Sequence, residues 1–351
     1  MREWENNFRQ VNPYVPGEQP QVRDIIKLNT NENPYPPAPK VNEALQRLNL
    51  EQMKLYPDYQ CTKLIEAISK TYQIPTEKIF VGVGSDDVLS VAFLSFFNSK
   101  TPILFPDITY SFYKVWAELY QIPYECPRVD ENFRIRKEDY YKKNGGIVLA
   151  NPNAPTSICE SVEWIRDILR HNQESVVIVD EAYIDFGGES VLPLIDEFEN
   201  LLVVQTYSKS KSMAGMRIGY AMGNPHLIQA LNDVKYSINS YTMNTTALML
   251  GEVAMYEQEY YKSTVQKIID TREAAKVRMK ELGFGVLDSK TNFLFVTHKE
   301  VPAKKIFEAL KAKNIFVRYF ENGRIDNFLR ITIGTTEEME ALYRELELIL
   351  G

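Results

Sequence analysis

The apolar run Val203-Val204 leads through Gln205-Thr206-Tyr207-Ser208 to Lys209, so a strand delivers a lysine into a loop, and Arg217 follows eight residues later. About thirty residues upstream, a second apolar run, Val176-Val177-Ile178-Val179, ends in Asp180-Glu181-Ala182-Tyr183. Singly these are ordinary. A lysine after a strand is usually solvated, and a strand-end aspartate usually forms a turn. Together they assemble an amine, a carboxylate, a phenol and a guanidinium. An amine forms a Schiff base with an aldehyde, and a carboxylate keeps a pyridine nitrogen protonated so that the ring can accept carbanion electrons. Arginine and hydroxyl groups bind phosphate. This is the equipment that pyridoxal phosphate (PLP) requires.

Further segments carry groups suited to the same cofactor. Gly82-Val83-Gly84-Ser85-Asp86-Asp87 follows a strand and opens a helix. Asp87 stands where a dinucleotide fingerprint needs its third glycine, so a nicotinamide dehydrogenase is disfavoured. The free N–H groups of that helix start still suit a phosphate, although Ser85 also fits a plain helix cap. Tyr110, in Pro106-Asp107-Ile108-Thr109-Tyr110, is placed to stack on a flat ring or to join the core. The turn Asn151-Pro152-Asn153-Ala154-Pro155-Thr156-Ser157 offers Asn153 to a phenolic oxygen. Arg318 and Arg330 lie in two short neighbouring strands and are expected to form an anion clamp.

The elements that must position these groups are legible as alternating runs. Strands are expected at Lys78–Gly82, Thr101–Phe105, Ile122–Cys126, Gly146–Ala150, Ser175–Asp180, Leu201–Thr206 and Arg217–Met222. Amphipathic segments separate them, among them Asp86–Phe97, Tyr110–Tyr120 and Glu160–His171. Continuous apolar strands between helices predict an α/β fold with a mostly parallel, doubly wound, seven-stranded sheet. Ligands bind such sheets outside the carboxyl ends of the strands, where Asp180 and Lys209 fall. After Asn244 the pattern becomes a long helical region to about Leu282, then a smaller α+β domain with strands near Ile315–Tyr319 and Phe328–Thr332. The expected division is 46–268 for the large domain, and 1–45 with 269–351 for the small one.

Composition narrows the classes. The chain has 351 residues, a formal net charge of −7 and no basic tract, which disfavours a nucleic-acid partner. No apolar run approaches the roughly 20 residues that cross a bilayer, and the polar, acidic start Met1-Arg2-Glu3-Trp4-Glu5 is unlike a secretory signal. Cys61, Cys126 and Cys159 are scattered, as are His171, His226 and His298, so no metal site is expected and a reducing cytoplasm is the natural setting.

Taken together, the motifs resemble the aspartate-aminotransferase-like, fold type I PLP enzymes, and most closely their histidinol-phosphate aminotransferase branch. Asp180-Glu181-Ala182-Tyr183 and Ser208-Lys209 carry the resemblance to the superfamily. Asn12-Pro13-Tyr14-Val15-Pro16-Gly17 and Asn31-Glu32-Asn33-Pro34 carry it to the branch. The resemblance implies Lys209 as the Schiff-base lysine, Asp180 as partner of the pyridinium and Tyr183 as partner of the phenolic oxygen. It also implies Gly84, Ser85, Asp86, Ser208 and Arg217 around the phosphate, Tyr110 on the ring, and Tyr14, Asn33, Arg318 and Arg330 lining the substrate pocket. Tyr56 would reach the cofactor of a second copy in a homodimer.

One departure matters. Ala154 stands where the family commonly has an asparagine bonded to the phenolic oxygen, leaving that contact to Tyr183 unless Asn153 replaces it. A hydrogen bond to an ionised oxygen contributes roughly 1.5–3 kcal/mol, enough to retune the imine without abolishing catalysis. The implied reaction is ping-pong transamination between glutamate and imidazole-acetol phosphate, giving L-histidinol phosphate. Within the superfamily, a threonine-phosphate decarboxylase and an aromatic amino-acid aminotransferase use similar pockets. A PLP-binding regulator would need a fused DNA-binding domain, whereas this N-terminus is occupied by pocket segments.

Overall fold

In a computed structural model, residues 2–15, 17–20 and 24–351 are described, and Met1 and Pro16 of the motifs above lie outside them. Twelve strands among those residues form two sheets. The strands are β1 (Ile26–Leu28), β2 (Ile79–Gly82), β3 (Ile103–Leu104), β4 (Tyr124–Glu125), β5 (Ile147–Ala150), β6 (Val177–Asp180), β7 (Leu201–Thr206), β8 (Gly219–Gly223), β9 (Phe284–Val286), β10 (Phe293–His298), β11 (Ile315–Tyr319) and β12 (Leu329–Thr332).

The larger sheet runs β2-β8-β7-β6-β5-β3-β4. Only β8 opposes its neighbours β7 and β2, and the pairs from β7 to β4 are parallel. All seven expected strands exist, and β7 has the expected bounds. Every residue of β5, β6 and β7 is buried, which is why each reads as an unbroken apolar run rather than an alternation.

Helices cover both faces. On one side lie α1 (Pro39–Gln46), α2 (Thr62–Tyr72), α5 (Val162–His171) and α7 (Thr245–Met255). On the other lie α3 (Ser85–Phe96), α4 (Phe112–Tyr120) and α6 (Pro225–Ile238). Serine and asparagine caps start several of them. Ser161 accepts from the Trp164 N–H at the head of α5, and Asn244 from the Ala247 N–H at the head of α7. Gly84, at the head of α3, has no side chain to offer, so the first N–H groups of that helix remain open.

The smaller sheet, β1-β11-β12-β10-β9, is covered by α8 (Gln258–Glu281), α9 (Ala303–Ala312) and α10 (Thr336–Leu350). Its edge strand β1 pairs in parallel with Ile315–Val317 of β11, so the chain's start is woven into its end. Buried Arg272 of α8 stitches the two sheets' surroundings together. Its Nη1 donates to the carbonyls of Phe186 at 2.7 Å and Thr291 at 2.8 Å. The expected domain edges fall inside continuous helices: 45/46 in α1, which packs beside the larger sheet, and 268/269 within α8.

Candidate active site

Register places the chemistry at one sheet edge. Ala150, Asp180 and Val204 lie side by side across β5, β6 and β7, so Asp180 ends a central strand. Thr206, the last residue of β7, pairs with Gly219. Lys209 is then three residues beyond the sheet, on the same side as the Asp180 carboxylate. Both line a cavity of about 1260 Å³ that lies between the two sheets. Ser85, Asp86, Tyr110, Tyr183, Ser208 and Arg217 line it from the larger sheet, and Tyr14, Arg318 and Arg330 from the N-terminal segment and the smaller sheet.

The larger sheet's wall of the cavity carries a cation and several donors. The Ser208 hydroxyl lies 3.5 Å from Arg217 Nη1, and Arg217 Nη2 pairs with Asp86 Oδ2 at 3.1 Å. Asp86 Oδ1 also accepts from the Tyr110 hydroxyl at 2.7 Å. The Asp86 side chain is therefore committed to aiming Arg217 and Tyr110, and a phosphate would meet the open helix start rather than this carboxylate. Gly84, with φ +85°, is needed there: a Cβ on it would stand 2.6 Å from Arg217 Nη2.

On the same wall, Asp180 is buried, and burial pushes its carboxyl up to about 6 although Tyr113 and the Ala182 N–H both stabilise the anion. The Tyr113 hydroxyl donates to Asp180 Oδ2 at 2.8 Å, and the Ala182 N–H to Oδ1 at 3.2 Å. A pyridinium is a cation that would offset this desolvation. Lys209 Nζ donates to the Thr30 carbonyl at 3.4 Å and lies 5.6 Å from the centre of the Tyr183 ring.

The smaller sheet's wall holds the two strand arginines, which are direct cross-strand partners. Arg330 is half-buried between the Phe293 and Phe320 rings, with Nη2 donating to the Asn29 carbonyl at 2.9 Å. Burial lowers its guanidinium below the ordinary value, and its Nε has no hydrogen-bond partner among the described residues. An unsatisfied buried donor costs free energy, and an anionic ligand would satisfy it. Arg318 Nη2 lies 3.4 Å from the Val15 carbonyl. Tyr14 stacks on Phe112 with ring centres 4.2 Å apart.

Two expected site residues are elsewhere. The Asn153 amide donates to the Ile108 carbonyl and the Thr156 hydroxyl, each at 2.9 Å, and its Oδ1 accepts from Thr109 at 2.7 Å. It is buried beneath the cavity wall, and Ala154 takes the lining position instead. Asn33 does not line the cavity. Its Nδ2 donates to the carbonyls of Lys209 at 3.1 Å and Ser210 at 3.3 Å, so it shapes the lysine loop. Asn153→Ala is expected to destabilise the protein by about 1–3 kcal/mol, because two buried partners, Ile108 and Thr156, and half-buried Thr109 lose their bonds. A thermal melt should show that loss while the visible spectrum of the cofactor-loaded protein stays unchanged. A shifted spectrum would return Asn153 to the site.

Sequence reading overlooked Tyr113 and the reach of Asn31, whose Nδ2 donates to the Tyr183 hydroxyl at 2.9 Å. Tyr113 lies one helical turn beyond Tyr110, and that spacing was the available signal.

The donor set fits PLP: an amine, a buried carboxylate, a phenol, and at one end an open helix start with Ser208 and Arg217. Such a site, on a seven-stranded sheet flanked by a smaller one, defines an aminotransferase-type fold. Residues 23–346 match the family model "Aminotransferase class I and II", and the chain belongs to that family. Its curated relatives include the histidinol-phosphate aminotransferases of Clostridium beijerinckii, 48% identical over 99% of this chain and 97% of the relative, and of Lactococcus lactis subsp. lactis, 48% identical over 98% and 96%. Among solved structures, histidinol-phosphate aminotransferase from Sinorhizobium meliloti in complex with pyridoxal-5'-phosphate superposes with a TM-score of 0.86 at 22% identity, covering 93% of this chain and 91% of that one. L-threonine-O-3-phosphate decarboxylase from Porphyromonas gingivalis gives 0.79 at 20% identity, covering 93% and 99%. Fold alone therefore does not separate these activities.

Proposed function

We propose that this chain is a PLP-dependent aminotransferase that exchanges an amino group between glutamate and imidazole-acetol phosphate, yielding 2-oxoglutarate and L-histidinol phosphate for histidine biosynthesis. One observation carries the reading: a lysine and a buried carboxylate share a cavity with Arg217 on the larger sheet's wall and Arg318 and Arg330 on the smaller sheet's. When bound, PLP supplies an aldehyde and an electron-accepting ring.

The residues then divide the work. Ser85 and Ser208, with Arg217, hold the cofactor's phosphate at the head of α3. The Asp180 carboxylate, aimed by Tyr113, keeps a proton on the ring nitrogen. Tyr183 donates to the phenolic oxygen, and Tyr110 packs on the ring face. Lys209 Nζ, once displaced by the incoming amine, takes the proton from the substrate α-carbon. Arg330 and Arg318 receive the glutamate carboxylate in one half-reaction and the other substrate's anionic group in the next, with Tyr14 beside them. A shared seat is suited to ping-pong exchange, because the two substrates occupy it in turn.

Glutamate alone is expected to bleach the visible band of the PLP-loaded protein and release 2-oxoglutarate, and L-histidinol phosphate to do the same at far lower concentration than phenylalanine. Carbon dioxide released from phosphothreonine, with no response to glutamate, would replace this reading with a decarboxylase.

The proposed assembly is a homodimer in the cytoplasm. Tyr56 is 81% exposed and packs tilted against Tyr241 with ring centres 4.6 Å apart, and Leu50 and Leu55, shortly before it in the chain, are exposed too. A second copy would cover this apolar patch and bring Tyr56 to its cofactor. Light scattering should give about twice the 40.6 kDa chain mass, and a monomeric mass with full turnover would dismiss the dimer. No helix among the described residues is long and apolar enough to cross a membrane.

A further inference from the structure

The Tyr183 phenol is gripped from the opposite lobe. Asn31 Nδ2 donates to it at 2.9 Å, and Asn31 is only 1% exposed. Every other polar group of Asn31 is also occupied. Its backbone N–H donates to Thr332 Oγ1 at 3.0 Å, its Oδ1 accepts from that hydroxyl at 3.1 Å, and its carbonyl accepts from Asn292 Nδ2 at 3.0 Å. The amide is thus fixed in orientation, with its oxygen committed to Thr332 and its N–H aimed at the phenol. A phenol has one proton to give. With Asn31 donating to its oxygen, Tyr183 keeps that proton for an acceptor in the cavity, and a chain of such bonds strengthens each member.

The neighbourhood makes this contact consequential. Ala154 lines the cavity without a donor, and Asn153 is turned away from it. Thr332 lies two residues beyond Arg330 on β12, the strand that carries the substrate clamp. We infer that Asn31 is a positioning residue that keeps the Tyr183 hydroxyl aimed at the cofactor's phenolic oxygen and ties that donor to the anion-binding strand. This rests on the role proposed above for Tyr183.

The test is a pH titration of the visible absorption band of the PLP-loaded protein without substrate. An oxygen with fewer donors holds the neighbouring proton of its lysine linkage more tightly, so weakening Tyr183 raises the midpoint. Asn31→Ala is expected to raise it by about 0.5–1 unit, the scale of one neutral hydrogen bond. Asn31→Asp keeps the shape and the Thr332 contact but replaces the donor by an acceptor that captures the Tyr183 proton. It should raise the midpoint as far as Tyr183→Phe does, and it serves if the alanine variant fails to fold. A purely structural role for Asn31 would lower the melting temperature and leave the midpoint in place. If Tyr183→Phe raises the midpoint and neither Asn31 variant does, this inference is wrong and the Tyr183 role stands. If Tyr183→Phe itself does nothing, the Tyr183 role fails and takes this inference with it.

Discussion

Lys209→Ala is expected to lower transamination by about 10⁴-fold or more, since it removes both the covalent attachment and the base. The visible band that depends on the lysine linkage should vanish. Cofactor affinity should fall less steeply, because the side chains of Ser85, Ser208 and Arg217 that line the cavity are unchanged. Equilibrium dialysis of PLP against the variant separates the two effects. A variant that kept the band and turned over within tenfold of the parent would remove Lys209 from the mechanism and with it the proposed chemistry.

Asp180→Asn should trade activity for stability. The carboxylate is buried, and burial raises it from an ordinary 3.8 to about 6. A folded value above the unfolded one means that the protonated form is favoured in the fold. That contribution is complete below pH 3.8 and disappears as pH rises through 6, where the buried group must ionise. The rise corresponds to roughly 3 kcal/mol against the charged form at neutral pH. Asparagine keeps the Tyr113 bond but forfeits the one from the Ala182 N–H, so the apoprotein should gain about 1–2 kcal/mol at pH 8. The gain should fade toward pH 4. Turnover should drop roughly 10²–10³-fold, the scale for one preorganised electrostatic group. Denaturant melts of the apoprotein at pH 8 and 4.5 check the stability arm. An apoprotein less stable than the parent at pH 8 would show that the carboxylate is not under strain.

How much of this was readable from residue order depends on what decides each position. Asp180 and Lys209 were legible because each follows a strand buried on both faces, and unbroken apolar runs of that kind have few other uses. Arg318 and Arg330 were legible as a pair because both lie in short strands of one domain. Asn33 and Asn153 were misread for one reason. An asparagine in a loop shows that an amide will find partners, but the partners proved to be nearby carbonyls and hydroxyls. Asp86 lies on the expected wall, and its carboxylate serves Arg217 and Tyr110, a use that residue order does not show. Strand β1 carried no local signal: three residues pair with a strand nearly three hundred positions later. The expected lobe edges, 45/46 and 268/269, fall inside the unbroken helices α1 and α8.

The loop from Ser208 to Gly219 has a further consequence for change. Around Gly215 there is empty space, with nothing within 4 Å of where a Cβ would stand, whereas at Gly219 the same atom would lie 2.3 Å from the backbone of Gly84 and Ser85. Side chains can be added freely at the loop's crown but not at its foot, where two stretches of main chain touch. Variation that alters how this loop meets other molecules therefore has room to arise at the crown, while the crossing beneath it admits no side chain at all.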